Sequence, residues 1–474
     1  MKLILKNASY LFASNVIVRL ISAFATILVA RYLGATDYGI LSIGLAIATI
    51  AGYFTDMGLS HTFIREATKE EKVDLPSLVG SHFKIRLIFV GIVGVILFVL
   101  VESLYSNQYM KKIIYLMTYP TIIGAALQGV GVVYFQAVQQ MHYTAYIRIL
   151  SGIVTATTLV LGLLFKWPLT LLAAAYGFSS LIGGLYSIYL LTRRTSLLRG
   201  WDRNLLDGLI SYTLGGLFVM MLPQVPSIVL EKVTSLKEVG YFSAAYRIPL
   251  VLYQVPGIVA AAFYPMLFKY GSSGQTQKHL KMSIIQTKIM SILGVCMVLP
   301  FLLYSDWWVN LVFGKEWSNV TPLLSILSVV VLLQSINFPL ADSLTTRGYQ
   351  SKRTLVMFVS LVLAIFCYYF LGQKYNSLGG AMTVVIIEIL LLIGFTLFNI
   401  KFSIQILKKG TLLNLLSFGL TILLSLIVKK YFHPIVGSSF FVCLFLGLTI
   451  YVDKELRSLF LQFVKRRMEK WRTT

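Results

Sequence analysis

Apolar runs long enough to cross a bilayer follow one another along nearly the whole chain, and little polar sequence separates them. A transmembrane helix needs about 20 mostly apolar residues. Fourteen such runs can be drawn, at about 9–30, 39–60, 84–104, 112–135, 145–165, 169–191, 209–230, 239–268, 284–303, 320–345, 354–371, 377–399, 411–428 and 435–452. The runs are continuous rather than alternating, which excludes an outer-membrane barrel with a polar lumen. Only 12% of the 474 residues are charged and 57% are hydrophobic, against roughly 25% and 45–50% in soluble domains. The expected class is an all-α polytopic membrane protein with about 14 transmembrane helices. Met1 to Lys6 is short and basic, and the run from near Tyr10 reads as the first span rather than a cleaved signal. No soluble domain is visible; the longest polar stretch is His61 to Ser81.

Two arginines, Arg19 and Arg247, sit inside spans, each on a polar stripe at helical spacing. The first stripe is Asn15, Arg19, Ser22 and Thr26; the second is Ser243, Arg247 and Gln254. A charge at such depth costs about 2.5–3.5 kcal/mol on insertion scales. It persists where it faces a watery cavity and meets an anion. The stripes therefore point to a path for an anionic substrate, against the plainer reading of an arginine tying helices together through backbone carbonyls. Arg31 lies at the outer boundary, where it lines the path or snorkels to the interface.

The net charge is +23. With an even number of spans and both ends in the cytoplasm, cytoplasmic segments hold 29 of the 41 Lys and Arg and outer loops hold 10. This is the positive-inside bias, and it removes the need for nucleic acid as a partner. The tail Lys465, Arg466, Arg467, Lys470, Arg472 is the densest basic cluster and fits topology plus anionic lipid.

Carboxylates within spans are few. Ser42, Thr49, Tyr53, Asp56 and Ser60 keep one face of the second span. Asp56 either lines a cavity, pairing with Arg19 or binding a coupling cation, or is a helix-end residue held by water or Arg65. Asp342, with Gln334 and Thr345 on roughly its face, either lines the cavity or pairs with Arg347. Glu388 lies mid-span among apolar neighbours. Such a carboxylate is expected to be protonated or strongly paired, as a proton-coupling site or as a neutral acid that packs helices. The five histidines show no ligand spacing, the three cysteines fall in different spans, and no metal site is expected. No phosphate-binding loop and no nucleophile elbow appear. The expected protein is a transporter, not an enzyme, without a cofactor.

A parallel repeat is visible. Val29-Ala-Arg-Tyr-Leu-Gly-Ala-Thr-Asp-Tyr-Gly39 is echoed by Val229-Leu-Glu-Lys-Val-Thr-Ser-Leu-Lys-Glu-Val-Gly240, with Asp37 and Glu238 as helix-opening acids. The repeat implies two six-helix lobes, 1–195 and 196–400, with substrate between them near the midplane. Residues 401–474 then form two appended helices and the basic tail.

Ala30-Arg-Tyr-Leu-Gly-Ala-Thr-Asp-Tyr-Gly39, Asp56-Met-Gly-Leu59, Gly240-Tyr-Phe-Ser-Ala-Ala-Tyr-Arg247-Ile and Phe263-Tyr-Pro265 together resemble the polysaccharide transporters of the multidrug/oligosaccharidyl-lipid/polysaccharide superfamily, which include the O-antigen-type flippases. The resemblance covers essentially the whole chain. It implies two lobes in a V, as in the multidrug exporters of that superfamily, plus two C-terminal helices. It also implies translocation of a polyprenyl-pyrophosphate-linked oligosaccharide between leaflets of a bacterial cytoplasmic membrane for cell-surface polysaccharide synthesis. Alternating access, coupled to an H+ or Na+ gradient, would drive it, and other polysaccharide assembly proteins would be partners. Arg19 and Arg247 become pyrophosphate ligands, since the guanidinium fork matches phosphate oxygens. The resemblance carries over to those two positions only; from the polar stripes themselves Asn15, Tyr53, Gln254 and Arg31 are expected to line the path, and Asp56, Glu388 and Asp342 to be coupling or pairing acids. The alternatives are a cation-coupled drug or metabolite exporter of the same fold, which would need lumen carboxylates, a membrane glycan polymerase or ligase, which would need a large catalytic loop, and a scaffold for envelope synthesis.

Overall fold

The computed structural model describes residues 2–69, 73–454 and 456–458, so the basic tail cluster lies outside the described residues. Side chains near the N-terminus, Asn15 and Arg19 among them, are also outside it. All regular structure among the described residues is helical. The chain divides into two compact units, Met1–Arg247 with Leu361–Gly380, and Ile248–Ser360 with Ala381–Thr474.

The first unit starts with α1 (Lys2–Phe54), α2 (Leu59–Ala67), α3 (Leu75–Leu104) and α4 (Gln108–Ala137). It continues with α5 (Met141–Leu164), α6 (Leu169–Thr192), α7 (Leu209–Met221), α8 (Val225–Val233) and most of α9 (Leu236–Leu252). The second contains α10 (Gln254–Ser272), α11 (Thr276–Leu303), α12 (Ser305–Val312), α13 (Val320–Thr346) and both ends of α14 (Gln350–Leu397). It also holds α15 (Ile400–Gly410), α16 (Leu412–Val428) and α17 (Pro434–Val452).

Among the described residues, eleven helices are long and apolar enough to cross a membrane, and a bent pair, residues 212–221 with 225–233, makes a twelfth. Two of them are too long for one crossing. Straight, the 53 residues of α1 would extend about 80 Å, against a hydrocarbon core of about 30 Å. The helix is broken at Gly34 (φ 75°, ψ 170°). α14 is likewise broken at Asn376 (φ 53°, ψ −134°). Counting both halves of each, every one of the fourteen expected spans has a helical counterpart. The protein is a multi-pass membrane protein.

Between lipid-bathed helices the hydrophobic effect gives little attraction, so small residues and hydrogen bonds do the packing. The α4–α6 contact shows it. Gly124 has no room for a Cβ against Ser180, nor Gly131 against Ser187. Ser180 donates to the Pro120 carbonyl at 3.1 Å and Ser187 to the Gln128 carbonyl at 3.0 Å.

Candidate functional site

In the first unit, the two copies of the repeat meet. A Cβ at Gly39 of α1 would strike the Leu236 carbonyl oxygen, and one at Gly240 of α9 would strike the Ala35 oxygen. Each glycine thus faces a carbonyl four residues before its counterpart, a reciprocal close crossing that only glycine permits on both sides. Beside the crossing, Arg247 Nε donates to the phenol oxygen of fully buried Tyr38 at 3.4 Å. Arg247 is half-buried, and among the described residues it pairs with no carboxylate. A guanidinium has five donors, and this one spends few of them on the protein.

Glu238 does stand in the first turn of α9, but its carboxylate accepts from the Ser377 hydroxyl and, at 3.2 Å, from the Ser377 amide. It therefore caps the half of α14 that begins after the break at Asn376. Near the same end, Lys232 donates to the Leu104 carbonyl at 2.6 Å and sits 3.9 Å from the Tyr105 ring centroid. Burial, and secondarily the Glu231 carboxylate, push the Tyr105 phenol well above its ordinary range. Arg31 is exposed. Asn15 and Arg19 lie on α1 without described side chains, so the pairing of Arg19 is not defined by contacts.

At the far end of α1 the chain makes a strained turn, with Met57 at φ 42° and Gly58 at φ 78°. Positive φ costs a non-glycine residue energy that the surroundings must repay. Several bonds hold the turn. Tyr53 donates to the Thr213 carbonyl at 2.6 Å, and Thr213 Oγ1 donates to the Met57 carbonyl at 2.6 Å. Asp56 pairs with Arg86 of α3. The partners expected for Asp56 are Arg19 or a coupling cation, or else water or Arg65; Arg65 binds Glu66 at 2.9 Å and the Asp207 and Asn204 carbonyls instead. Arg86 is only 4% exposed, and it also donates to Ser60 Oγ and to the Ala125 and Ala126 carbonyls of α4, at 3.0, 3.3 and 3.2 Å. One guanidinium thus fastens three segments.

In the second unit, Glu388 is 9% exposed and its oxygens meet neutral amides. Gln334 Nε2 donates to Oε1 at 3.0 Å and Asn337 Nδ2 to Oε2 at 2.8 Å, both from α13. The same Asn337 Nδ2 reaches the Glu388 carbonyl at 2.9 Å. Pro339, two residues on, interrupts the backbone ladder of α13 at this depth. Gln334 was expected on the face of Asp342; it serves Glu388. Asp342, 5% exposed, accepts instead from Gln286 Nε2 of α11 at 2.9 Å. The alternative in which Asp342 pairs with Arg347 does not hold here, for Arg347 lies over the Phe402 ring at 4.1 Å. Gln254 donates to the Leu250 carbonyl one turn earlier at 3.0 Å.

A further buried charge pair was not anticipated. Lys288, inside α11, lies 2.6 Å from Asp453, the residue that closes α17. Asn414 of α16 donates to Ser291 Oγ and to the Lys288 carbonyl at 2.7 and 3.2 Å. This polar cluster pins both appended helices to α11. Its signal in the sequence is the stripe Ser283, Thr287, Ser291 beside Lys288.

Comparison with known proteins adds the following. The profile of the family described as polysaccharide biosynthesis protein matches residues 4–271. A putative O-antigen transporter of Shigella flexneri is 22% identical over 405 residues, covering 80% of this chain and 94% of its own. The lipopolysaccharide biosynthesis protein WzxC of Escherichia coli is 21% identical over 175 residues, 35% of this chain and 33% of its own. Among solved structures, the lipid II flippase MurJ in an inward closed conformation superposes with a TM-score of 0.71 at 15% identity, covering 96% of this chain and 99% of that one. A multidrug resistance MATE family transporter of the MOP superfamily, in an inward-facing conformation, gives 0.69 at 15% identity, covering 83% and 96%. These likenesses establish the fold.

Proposed function

The chain belongs to the polysaccharide biosynthesis protein family, and from that premise we propose that it carries a polyprenyl-pyrophosphate-linked oligosaccharide from the inner to the outer leaflet of a bacterial cytoplasmic membrane. It is a transporter rather than an enzyme, as its O-antigen transporter relative is. Its place in the cell is cell-surface polysaccharide assembly. Both termini lie in the cytoplasm, the orientation that the lysine and arginine distribution supports.

The observation that carries this reading is Arg247. It stands inside a span, at the crossing of the two repeats, held by a phenol and by no carboxylate. Its remaining donors suit the two faces of a pyrophosphate. Arg19, one span earlier in the repeat, is its partner in this role. Asn15, Tyr53 and Arg31, all of the first unit, line the same path. A cationic drug would be repelled by such a path, which disfavours the exporter reading, and the family weighs against a polymerase.

An ion gradient drives the cycle through Glu388, and the ion is a proton. Hard cations need several oxygen ligands, whereas Glu388 is met by amide N–H groups. Asn337 Oδ1 is buried without a partner, so a turn of that amide offers an acceptor to the protonated carboxyl. Asp56 is committed to Arg86 and serves as a clamp; Asp342 is a pairing acid held by Gln286.

The direct test is the lipid extract of a deletion strain against its complemented parent, by mass spectrometry. Accumulation of a polyprenyl-pyrophosphate oligosaccharide upholds the flippase and identifies its glycan. An unchanged lipid pool in cells shown to make the polymer would overturn it.

A further inference from the structure

The second unit carries a cavity of 570 Å³, lined by Pro300 of α11, Trp307, Trp308 and Leu311 of α12, and Ile435, Ser438, Ser439, Val442 and Cys443 of α17. That volume is within the range of small-molecule sites, about 300–1,000 Å³. The lining is apolar except for a few groups, and two of those are orphaned. Trp308 Nε1 and Ser438 Oγ are both buried without a hydrogen-bond partner, and Ser438 is only 7% exposed. A buried donor with no acceptor costs about 1–3 kcal/mol. Two such groups in one lining, from α12 and α17, indicate that an acceptor belongs there.

Three features describe the occupant. The apolar walls are open: Leu311 and Ile435 of the lining are both more than half exposed, as expected of a surface bathed in lipid chains. Paired tryptophans at a span's end mark the headgroup level, and the Trp307 and Trp308 rings lie 5.0 Å apart immediately after α11. Two lysines, Lys429 and Lys430, precede α17 in the loop that leads into this wall. The Lys429 carbonyl accepts from Tyr304 at 3.1 Å, Lys430 follows it, both side chains are exposed, and His433 meets the Trp307 ring at 5.9 Å. The site thus offers an apolar slot with two unpartnered donors in its lining, and the loop leading into its α17 wall carries two lysines and a histidine.

We propose that this niche is a binding site for an anionic glycerophospholipid. One acyl chain fills the slot, its ester carbonyl accepts from Trp308 Nε1 and Ser438 Oγ, and its phosphate lies against Lys429, Lys430 and His433. The lipid belongs to the bilayer rather than to the transported load, since none of the residues assigned to the path lines the niche. It braces α17 and α12 against α11 at the end opposite the Lys288–Asp453 pair. The proposal is independent of the flippase reading, because binding is measured without transport.

The test is native mass spectrometry of the full chain in detergent with equal amounts of phosphatidylglycerol, phosphatidylethanolamine and a polyprenyl phosphate. Phosphatidylglycerol is expected to be retained over phosphatidylethanolamine by on the order of tenfold, since each surface cation near an anionic headgroup contributes to binding. Lys429→Gln with Lys430→Gln is expected to remove that preference; Trp308→Phe with Ser438→Val is expected to lower retention of both glycerophospholipids. Alkylation of Cys443, with Cys296 and Cys367 replaced by serine, is expected to slow several-fold when phosphatidylglycerol is added. Equal retention of the two phospholipids, retention indifferent to all these substitutions, or preferential retention of the polyprenyl phosphate would each overturn the proposal.

Discussion

Gly39 and Gly240 occupy the same place in the two copies of the repeat, and each lies against the backbone of the other's helix: Gly39 against the Leu236 oxygen, Gly240 against the Ala35 oxygen. The sequence pairs them as echoes two hundred residues apart, and the fold makes them neighbours. A crossing so close, with no side chain between the backbones, can separate and re-form without repacking a core. It is well suited to a transporter that must open there.

Enlarging either glycine should therefore cost both stability and transport. Gly240→Val is expected to lower the unfolding free energy by about 1–3 kcal/mol, the usual cost of overpacking, and to abolish rescue of a deletion strain. Gly257→Val, at a glycine with open space around it, is the control and should keep the melting temperature within a degree or two. Equal behaviour of the two variants would remove the crossing from the account.

If Arg247 binds pyrophosphate, Arg247→Ala is expected to stop flipping in reconstituted vesicles while leaving the protein folded. Arg247→Lys should restore part of the rate, since lysine keeps the charge and loses the fork. Arg19→Ala should behave alike. Wild-type transport in the Arg19→Ala, Arg247→Ala double variant would end the assignment.

Arg86 and Asp56 should show strong coupling. Arg86→Ala leaves Asp56 without its cation and the Ala125 and Ala126 carbonyls without a donor. Breaking one side of a buried pair typically costs about 3–5 kcal/mol. Asp56→Asn together with Arg86→Gln is expected to melt higher than Arg86→Ala alone; additive losses in a double-mutant cycle would show that the pair does not act as a unit.

Glu388→Gln keeps shape and both acceptor and donor capacity but cannot ionise. Transport in vesicles is expected to lose its dependence on an imposed pH gradient, with the melting temperature little changed. Unaltered gradient dependence would leave Glu388 as packing.

Much of the fold was readable because span length and hydropathy are strong signals: α1 and α14 each fuse two expected spans, and the breaks fall at Gly34 and Asn376, beside the turns drawn from composition. Arg247 was readable because its span has no other reason to hold a charge. Arg86 and Lys288 were not. Each lies a few residues inside the end of a span that the charge bias assigns to the cytoplasm, where basic residues set orientation, and so each counts with the topogenic charges. The partners of the acids were also hidden. Gln286 reaches Asp342 across 56 residues and Gln334 reaches Glu388 across 54, and no local spacing encodes such meetings. Which of two nearby acids takes which amide depends on helix rotation, which hydropathy does not set.

Arg86 also bears on how the chain is made. Its ion-pair partner, Asp56, is thirty residues upstream and already synthesised, but the carbonyls of Ala125 and Ala126 are some forty residues downstream. When α3 first leaves the translocation machinery, that guanidinium has acceptors on one side only, in a setting where an unmet charge is costly. The third helix is thus held near the exit, or near the lipid headgroups, until the fourth arrives. The smallest unit that can be released into the bilayer with Arg86 satisfied is the stretch from α1 through α4, and ribosome-bound intermediates truncated between α3 and α4 should remain crosslinked to the insertion channel.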